Sequence, residues 1–304
     1  MILLWGMPGD DPLDEVWAAL ALLGADARLL DQRGPHDATV KVAEPEPEAA
    51  GTVTTDDGTI DLARVGAAYV RPQESSDHGR LADASLLAWA DLTSANVVNR
   101  PAAMASNNSK PYQLGLIERF GFDVPDTLVT TDPREARRFR RRYGRVIYKS
   151  VSGVRSIVSQ LHHEQLERLG DVANCPTQFQ QYVPGEDVRV HVVGEEILAT
   201  VVRSDVDDYR YASHAGAALE LTETELPADV ADRCRAATRG MGLHFAGIDL
   251  RHTPDGWICF EVNPSPAFTF YERATGQPIA AAVARLLIRL DCTHSARVSR
   301  GACS

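Results

Sequence analysis

AGIDLRHTPDGWICFEVNPSP, residues 246–266, holds two apolar runs separated by Pro254-Asp255-Gly256. A turn of that composition between such runs predicts an antiparallel hairpin. A register centred on the turn sets Asp249 opposite Glu261, and Glu261 and Asn263, two apart on one strand, share a face. Two carboxylates facing each other on apolar strands repel and lose hydration, so the pair needs a shared proton or a cation. Two carboxylates and an amide oxygen are hard oxygen donors that leave Mg²⁺ room for waters and phosphate oxygens. The alternative is a register slip of one residue, which would send one carboxylate to solvent on the far side of the sheet.

Upstream, VIYKSVSGVRS (146–156) reads as an apolar strand that delivers Lys149 and breaks into a Ser/Gly loop at Ser152 and Gly153. The free N–H groups of such a loop can cover phosphates, although a plain hairpin connection explains the same residues. Neither GxxxxGK[ST] nor GxGxxG is present there, so a Walker loop and a Rossmann fingerprint do not apply. In FQQYVPGEDVRVHVVG (179–194) a strand meets Pro184-Gly185 and continues, with Glu186, Asp187 and Arg189 at the joint. A hinge between lobes suits a nucleotide cleft, with an acid for ribose hydroxyls; a surface turn with an ion pair is the alternative. Lysine is scarce: of 31 basic residues only Lys41, Lys110 and Lys149 are lysines. A chain that keeps so few does so where a compact point charge is wanted instead of a planar fork.

The whole 304-residue chain is an ordinary globular one, 44% apolar and 24% charged, long enough for two or three lobes. No apolar run approaches the roughly 20 residues of a membrane span. MILLWGMPGDDP has no basic residues before its short apolar stretch, so it predicts a first strand and no secretory signal. The five cysteines are scattered, without a CxxC pair, as in a reduced cytoplasmic protein without structural zinc. The net charge of −11 argues against nucleic acid as a partner. Residues 1–100 predict an α/β lobe with a largely parallel sheet, including ILLW, ARLLD and AAYVRP, a hairpin turned at Asp57-Gly58, and an exposed acidic loop over 43–50. Residues 101–183 and 184–290 predict two α+β lobes, and 291–304, polar and unpatterned, a disordered tail.

In order and spacing, NNSKPYQLGLIERFGFDVPDTLVTTDP (107–133), VIYKSVSG, FQQYVPGEDVRVHVVG and the 246–266 hairpin running on to ERATGQPIA (272–280) resemble the ATP-grasp superfamily, within it the RimK-like carboxylate–amine ligases. The likeness, over roughly residues 95 to 290, extends to ATP-grasp maturases that macrocyclise ribosomally made peptides. It implies an ATP-grasp fold, in which an N-terminal α/β lobe precedes two α+β lobes that grip ATP. It also implies that Lys110 and Lys149 contact phosphates and that the Ser152-Gly153 loop covers them. Gln181 and, by backbone, Val183 would meet the adenine, Asp187 the ribose, and Asp249, Glu261 and Asn263 would hold Mg²⁺, two ions in number and replaceable by Mn²⁺.

The implied reaction is formation of an acyl phosphate from a carboxylate and ATP, followed by attack of an amine. Arg189, Arg203 and Arg210 are the candidates for holding the carboxylate or the acyl phosphate; a surface ion pair with Asp205 or Asp207 is the alternative for Arg203. Tyr211 stands where the family carries a small or amide residue. The substrate class implied is an amino acid or peptide, a precursor peptide in the macrocyclase case. A phosphotransferase and a nucleotide-sensing module are the readings from other classes, and an oligomer fits as well as a monomer. REARRFRRRYGR (134–145) reads as a solvated helix face, with an acidic peptide or RNA dock as the alternative. Cys259 reads as a core thiol, the aromatic run Phe268, Phe270 and Tyr271 as packing, and His162-His163 as no metal site.

Overall fold

The computed structural model describes residues 1–34, 36–43, 48–73, 80–151, 159–204 and 219–301. The N-terminal lobe contains β1 (Ile2–Gly6), α1 (Asp11–Leu22), β2 (Ala27–Asp31), β3 (His36–Ala43), β4 (Glu48–Thr55), β5 (Gly58–Asp61), β6 (Ala67–Arg71), α2 (Arg80–Leu92) and β7 (Asn96–Val98). Strands β2-β1-β6-β7 form a parallel sheet in that order, as the alternating strand–helix pattern requires. Strands β3-β4-β5 form a separate antiparallel sheet. The β4–β5 turn is made by Asp56 and Asp57, one residue earlier than expected, and Gly58 opens β5 at φ 127°, a conformation that favours glycine. Residues 48–50, expected in a loop, pair with 41–43 instead.

The middle of the chain contains α3 (Pro101–Met104), α4 (Lys110–Glu118), β8 (Thr127–Thr130), α5 (Pro133–Tyr143), β9 (Val146–Ser150), β10 (Ser159–Gln160), α6 (His163–Glu167) and β11 (Thr177–Gln181). Its sheet, β10-β9-β11-β8, is antiparallel. Leu128, Val146, Tyr148 and Phe179 line one face with Ala136, Phe139 and Tyr143 of α5. The arginines Arg134, Arg137, Arg138, Arg141 and Arg142 lie outward and exposed, the solvated face expected of that helix. Helix α4 does not belong to this lobe, although it was expected there: Leu114, Ile117 and Phe122 pack into the core of the third one.

That third lobe is built on β12 (Glu186–Val193), β13 (Glu196–Ser204), β14 (Leu219–Thr224), α7 (Ala228–Gly240), β15 (Phe245–Thr253), β16 (Gly256–Asn263), α8 (Thr269–Thr275) and α9 (Ile279–Gly301). The sheet order is β14-β13-β12-β15-β16, all antiparallel. Val188, Val190 and Val192 face α7 and α4, while Val193 and Phe245 face a core shared with α1, β1 and α9. Residues 291–301 continue α9 and are not the expected unpatterned tail; Leu286 and Leu287 anchor the helix against α1. Asn99, 3% exposed, ties the lobes together. Its Nδ2 donates to the carbonyls of Phe245 and Pro264, each at 2.6 Å, and its Oδ1 accepts from the His244 N–H at 2.8 Å. Among the described residues no helix is long and apolar enough to cross a membrane.

Candidate active site

The hairpin of β15 and β16 pairs Asp249 with Glu261 and Gly247 with Asn263, the register expected from the sequence. A bulge makes this compatible with a packed sheet. The register slips between Asp249 and Leu250, so that Leu250 pairs with Cys259 and Phe260 is the extra residue. Cys259 therefore turns into the core with Leu250 and Val262, fully buried, and burial pushes its thiol well above the ordinary range. Glu261, two residues on, faces Asp249 instead.

Among the described residues each carboxylate meets a cation. Lys110, the first residue of α4, reaches Glu261 Oε1 at 3.3 Å. Arg189 of β12, 6% exposed, donates from Nη1 to Asp249 Oδ1 at 2.6 Å. Strand pairing sets Arg189 opposite Asp249 on one side and Thr200 on the other, and its guanidinium lies 5.6 Å from the Tyr271 ring. Tyr271 thus packs, as expected, and its ring meets Arg189. Thr200 donates to Gln277 Oε1 at 3.0 Å, and both side chains are buried. Asn263 Oδ1 accepts from the Ser265 N–H at 2.9 Å, leaving a second lone pair. Asp249, Glu261 and Asn263 are therefore all oxygen donors on one patch, and their hardness fits Mg²⁺.

His191, next but one to Arg189 on the same face, is fully buried against the Tyr271 and Phe245 rings. Burial, with the Arg189 charge second, holds its imidazole well below the usual range. The unfolded chain then takes up a proton near the ordinary histidine value while the folded chain does not. Stability is accordingly expected to fall as pH drops below about 6.5, and His191→Leu should flatten that slope in a urea-melt series.

In the middle lobe, Lys149 pairs with Gln178 and Ile147 with Gln180, and these four side chains share the face away from α5. Gln181, expected at the adenine, pairs with Val146 on the helix-covered face; Gln180 is the glutamine on the side of Lys149. Val183 offers its carbonyl to Arg251 Nη1 at 2.6 Å. Asp187 forms a two-pronged ion pair with the same guanidinium, both contacts at 2.8 Å. Arg203 is not brought to Asp249. It alternates with Val202 and Thr200, which share the Arg189 face, and so points to the other side, 55% exposed and 2.8 Å from Glu186. Ser152, Gly153, Arg210 and Tyr211, together with Asp205 and Asp207, lie outside the described residues. Sequence reasoning missed Gln113, Gln180, Asn99 and Arg251. For Gln113 a signal existed, an amide one helical turn after Lys110 and next to the apolar Leu114 and Ile117.

The RimK-like ATP-grasp domain matches residues 105–287, more than half of the chain. The chain belongs to the RimK-like ATP-grasp family. A ribosomal protein bS6–L-glutamate ligase of Escherichia fergusonii is 29% identical over 204 residues, 63% of this chain and 67% of that one. A probable alpha-L-glutamate ligase of Shewanella loihica is 26% identical over 197 residues, 61% of this chain and 65% of that one. The match therefore spans just under two thirds of the second relative's length. The solved structure of the ATP-grasp ligase PsnB, complexed with a phosphomimetic variant of minimal precursor, Mg and ADP, matches with a TM-score of 0.80 at 26% identity, covering 95% of this chain and 98% of that chain. The ATP-grasp fold expected from the sequence is thus the fold of this chain.

Proposed function

We propose that this RimK-like ATP-grasp protein is an ADP-forming ligase that activates a carboxylate with ATP and joins it to an amine of an amino acid or peptide. The observation that carries the reading is the opposed pair Asp249 and Glu261, each matched to its own cation, Arg189 and Lys110. Asp249, Glu261 and Asn263 would hold two Mg²⁺ ions, replaceable by Mn²⁺, which neutralise phosphate charge when bound. In the proposed first step a substrate carboxylate oxygen attacks the γ-phosphorus of ATP, the bond to the β-phosphate oxygen breaks, and ADP leaves. In the second the amine attacks the acyl carbon, loses a proton, and inorganic phosphate leaves. Both steps gather negative charge, so fixed positive charge is what the protein must supply. Lys110 and Lys149 are assigned to the phosphates and Arg189 to the acyl phosphate oxygens. Gln180, on the face of Lys149, is assigned to the adenine in place of Gln181. Asp187 would meet the ribose while oriented by Arg251, and Val183 would approach the adenine through its backbone.

A precursor peptide as the substrate, with macrocyclisation by ester or amide bonds, is a second reading. What supports it is the solved ATP-grasp ligase whose name records a bound precursor, 26% identical and covering 95% of this chain. Release of ADP and phosphate that requires both a carboxylate and an amine tests the ligase. With an ¹⁸O-labelled carboxylate, one label is expected in the released phosphate. A stable phosphorylated product would instead mark a phosphotransferase, and ATP binding without turnover a nucleotide-sensing module. Lys149→Arg is expected to weaken ATP binding about tenfold by calorimetry, because a planar fork cannot replace a point charge on that crowded sheet face; unchanged affinity would remove Lys149 from the nucleotide.

A further inference from the structure

Among the described residues strand β16 is the edge of its sheet, so the backbone groups pointing away from β15 have no neighbouring strand there. Buried, such groups need partners. Val262, between Glu261 and Asn263, is 1% exposed, and its two backbone groups are both taken by one side chain. Gln113 of α4, 2% exposed, donates from Nε2 to the Val262 carbonyl at 2.8 Å and accepts on Oε1 from the Val262 N–H at 3.1 Å. A primary amide is the side chain that can present a donor and an acceptor side by side, as a peptide group does. Further along the same edge the Asp123 carbonyl accepts from the Cys259 N–H at 2.9 Å, so the edge is covered beside the bulge as well. The protein uses the device elsewhere. Gln32 Nε2 donates to the Gln73 carbonyl at 2.8 Å and its Oε1 accepts from the Gln73 N–H at 2.9 Å, in the N-terminal lobe.

We propose that Gln113 is a positioning residue for the metal-ligand strand: its amide stands in for a missing sixth strand and fixes the backbone from which Glu261 and Asn263 face Asp249. The inference rests on reading those three residues as ligands of the ion. Helix α4 then has two tasks one turn apart, Lys110 on the Glu261 carboxylate and Gln113 on the backbone behind it. Without the amide, Val262 would lose both partners and the strand end would relax, loosening the geometry without removing a ligand.

The test is Mn²⁺ binding to the full chain at saturating ADP, read by the electron spin resonance of free Mn²⁺. Gln113→Met, similar in shape but without donor or acceptor, is expected to raise the Mn²⁺ dissociation constant about tenfold or more, as losses of residues that orient ligands do. Gln113→Glu keeps an acceptor for the Val262 N–H but sets a carboxylate oxygen against the Val262 carbonyl, and is expected to weaken binding as well; it serves should Gln113→Met fail to fold. Gln32→Met removes the same pair of bonds in the N-terminal lobe, together with the bond from Nε2 to Asp83 Oδ2 at 2.9 Å, and is expected to lower the melting temperature while leaving the constant within about twofold of wild type. The proposal is overturned if Gln113→Met and Gln113→Glu bind Mn²⁺ like wild type, or if Gln32→Met weakens binding as much. A wild-type protein whose Mn²⁺ binding is indifferent to Glu261→Gln would overturn the ligand assignment itself, a result distinguishable from failure of Gln113 alone.

Discussion

Glu261→Gln is expected to lower turnover by on the order of 10²–10³-fold while leaving the protein folded. The substitution keeps size and shape and removes one negative charge. Gln Oε1 can still accept from Lys110, 3.3 Å away in the wild type, so the cost in stability should be about 1 kcal/mol or less. In the proposed reaction the charge itself is what matters. Asp249 alone would then face both the cation of Arg189 and any bound ion, and the patch proposed to hold the ion would be one unit more positive. Steady-state ADP release together with a thermal melt separates the two effects. A Gln variant that turns over normally would remove Glu261 from the chemistry; one that unfolds would mean that the Lys110 pair is structural.

The pairing of Asp249 with Glu261 was legible because a Pro-Asp-Gly turn between apolar runs favours that register, although a slip of one residue stayed open until the strands were seen paired. Strict alternation would nevertheless have put Cys259 on the same face as Glu261. The bulge at Phe260 is what separates them, and no residue type in that stretch announces it. The same limit explains Gln181. The adjacent glutamines 180 and 181 look alike in sequence, and the direction of each was settled only by Phe179 packing under α5, which turns Gln180 toward the side of Lys149. Arg203 was placed near Arg189 because both sit on paired strands, yet the two lie on opposite faces and Glu186 takes the charge. Helix α4 was assigned to the middle lobe by order in the chain. Its apolar residues Leu114 and Ile117 are buried under a sheet that starts nearly seventy residues later, a long-range choice that local pattern does not contain. Buried amides such as Asn99 and Gln113, whose work is on backbone groups, left only faint marks in the sequence.

Gly247→Ala is expected to reduce kcat/KM by about 10²-fold although it adds a single methyl group, because a misplacement of about 1 Å at a reacting centre costs that much. The backbone at Gly247 is not in the left-handed region, so alanine is tolerated locally and by itself stiffens the unfolded chain in the stabilising direction. The difficulty is space. A Cβ there would stand 2.6 Å from Arg189 Cζ and 2.8 Å from Pro266 Cβ, inside van der Waals contact. Arg189 has little room to retreat, since Asp249 holds it at 2.6 Å and the Tyr271 ring lies 5.6 Å away. The guanidinium must shift, and the contact with Asp249 loosens. A double-mutant cycle decides whether this is the route. If Gly247→Ala acts through Arg189, adding it to Arg189→Ala should cost almost nothing further, whereas fully additive losses would show that the methyl group damages the hairpin by another path. Unchanged kcat/KM in the single Gly247→Ala variant would mean that the position of the guanidinium does not matter to the reaction, and Arg189 would then be a structural partner of Asp249 and nothing more.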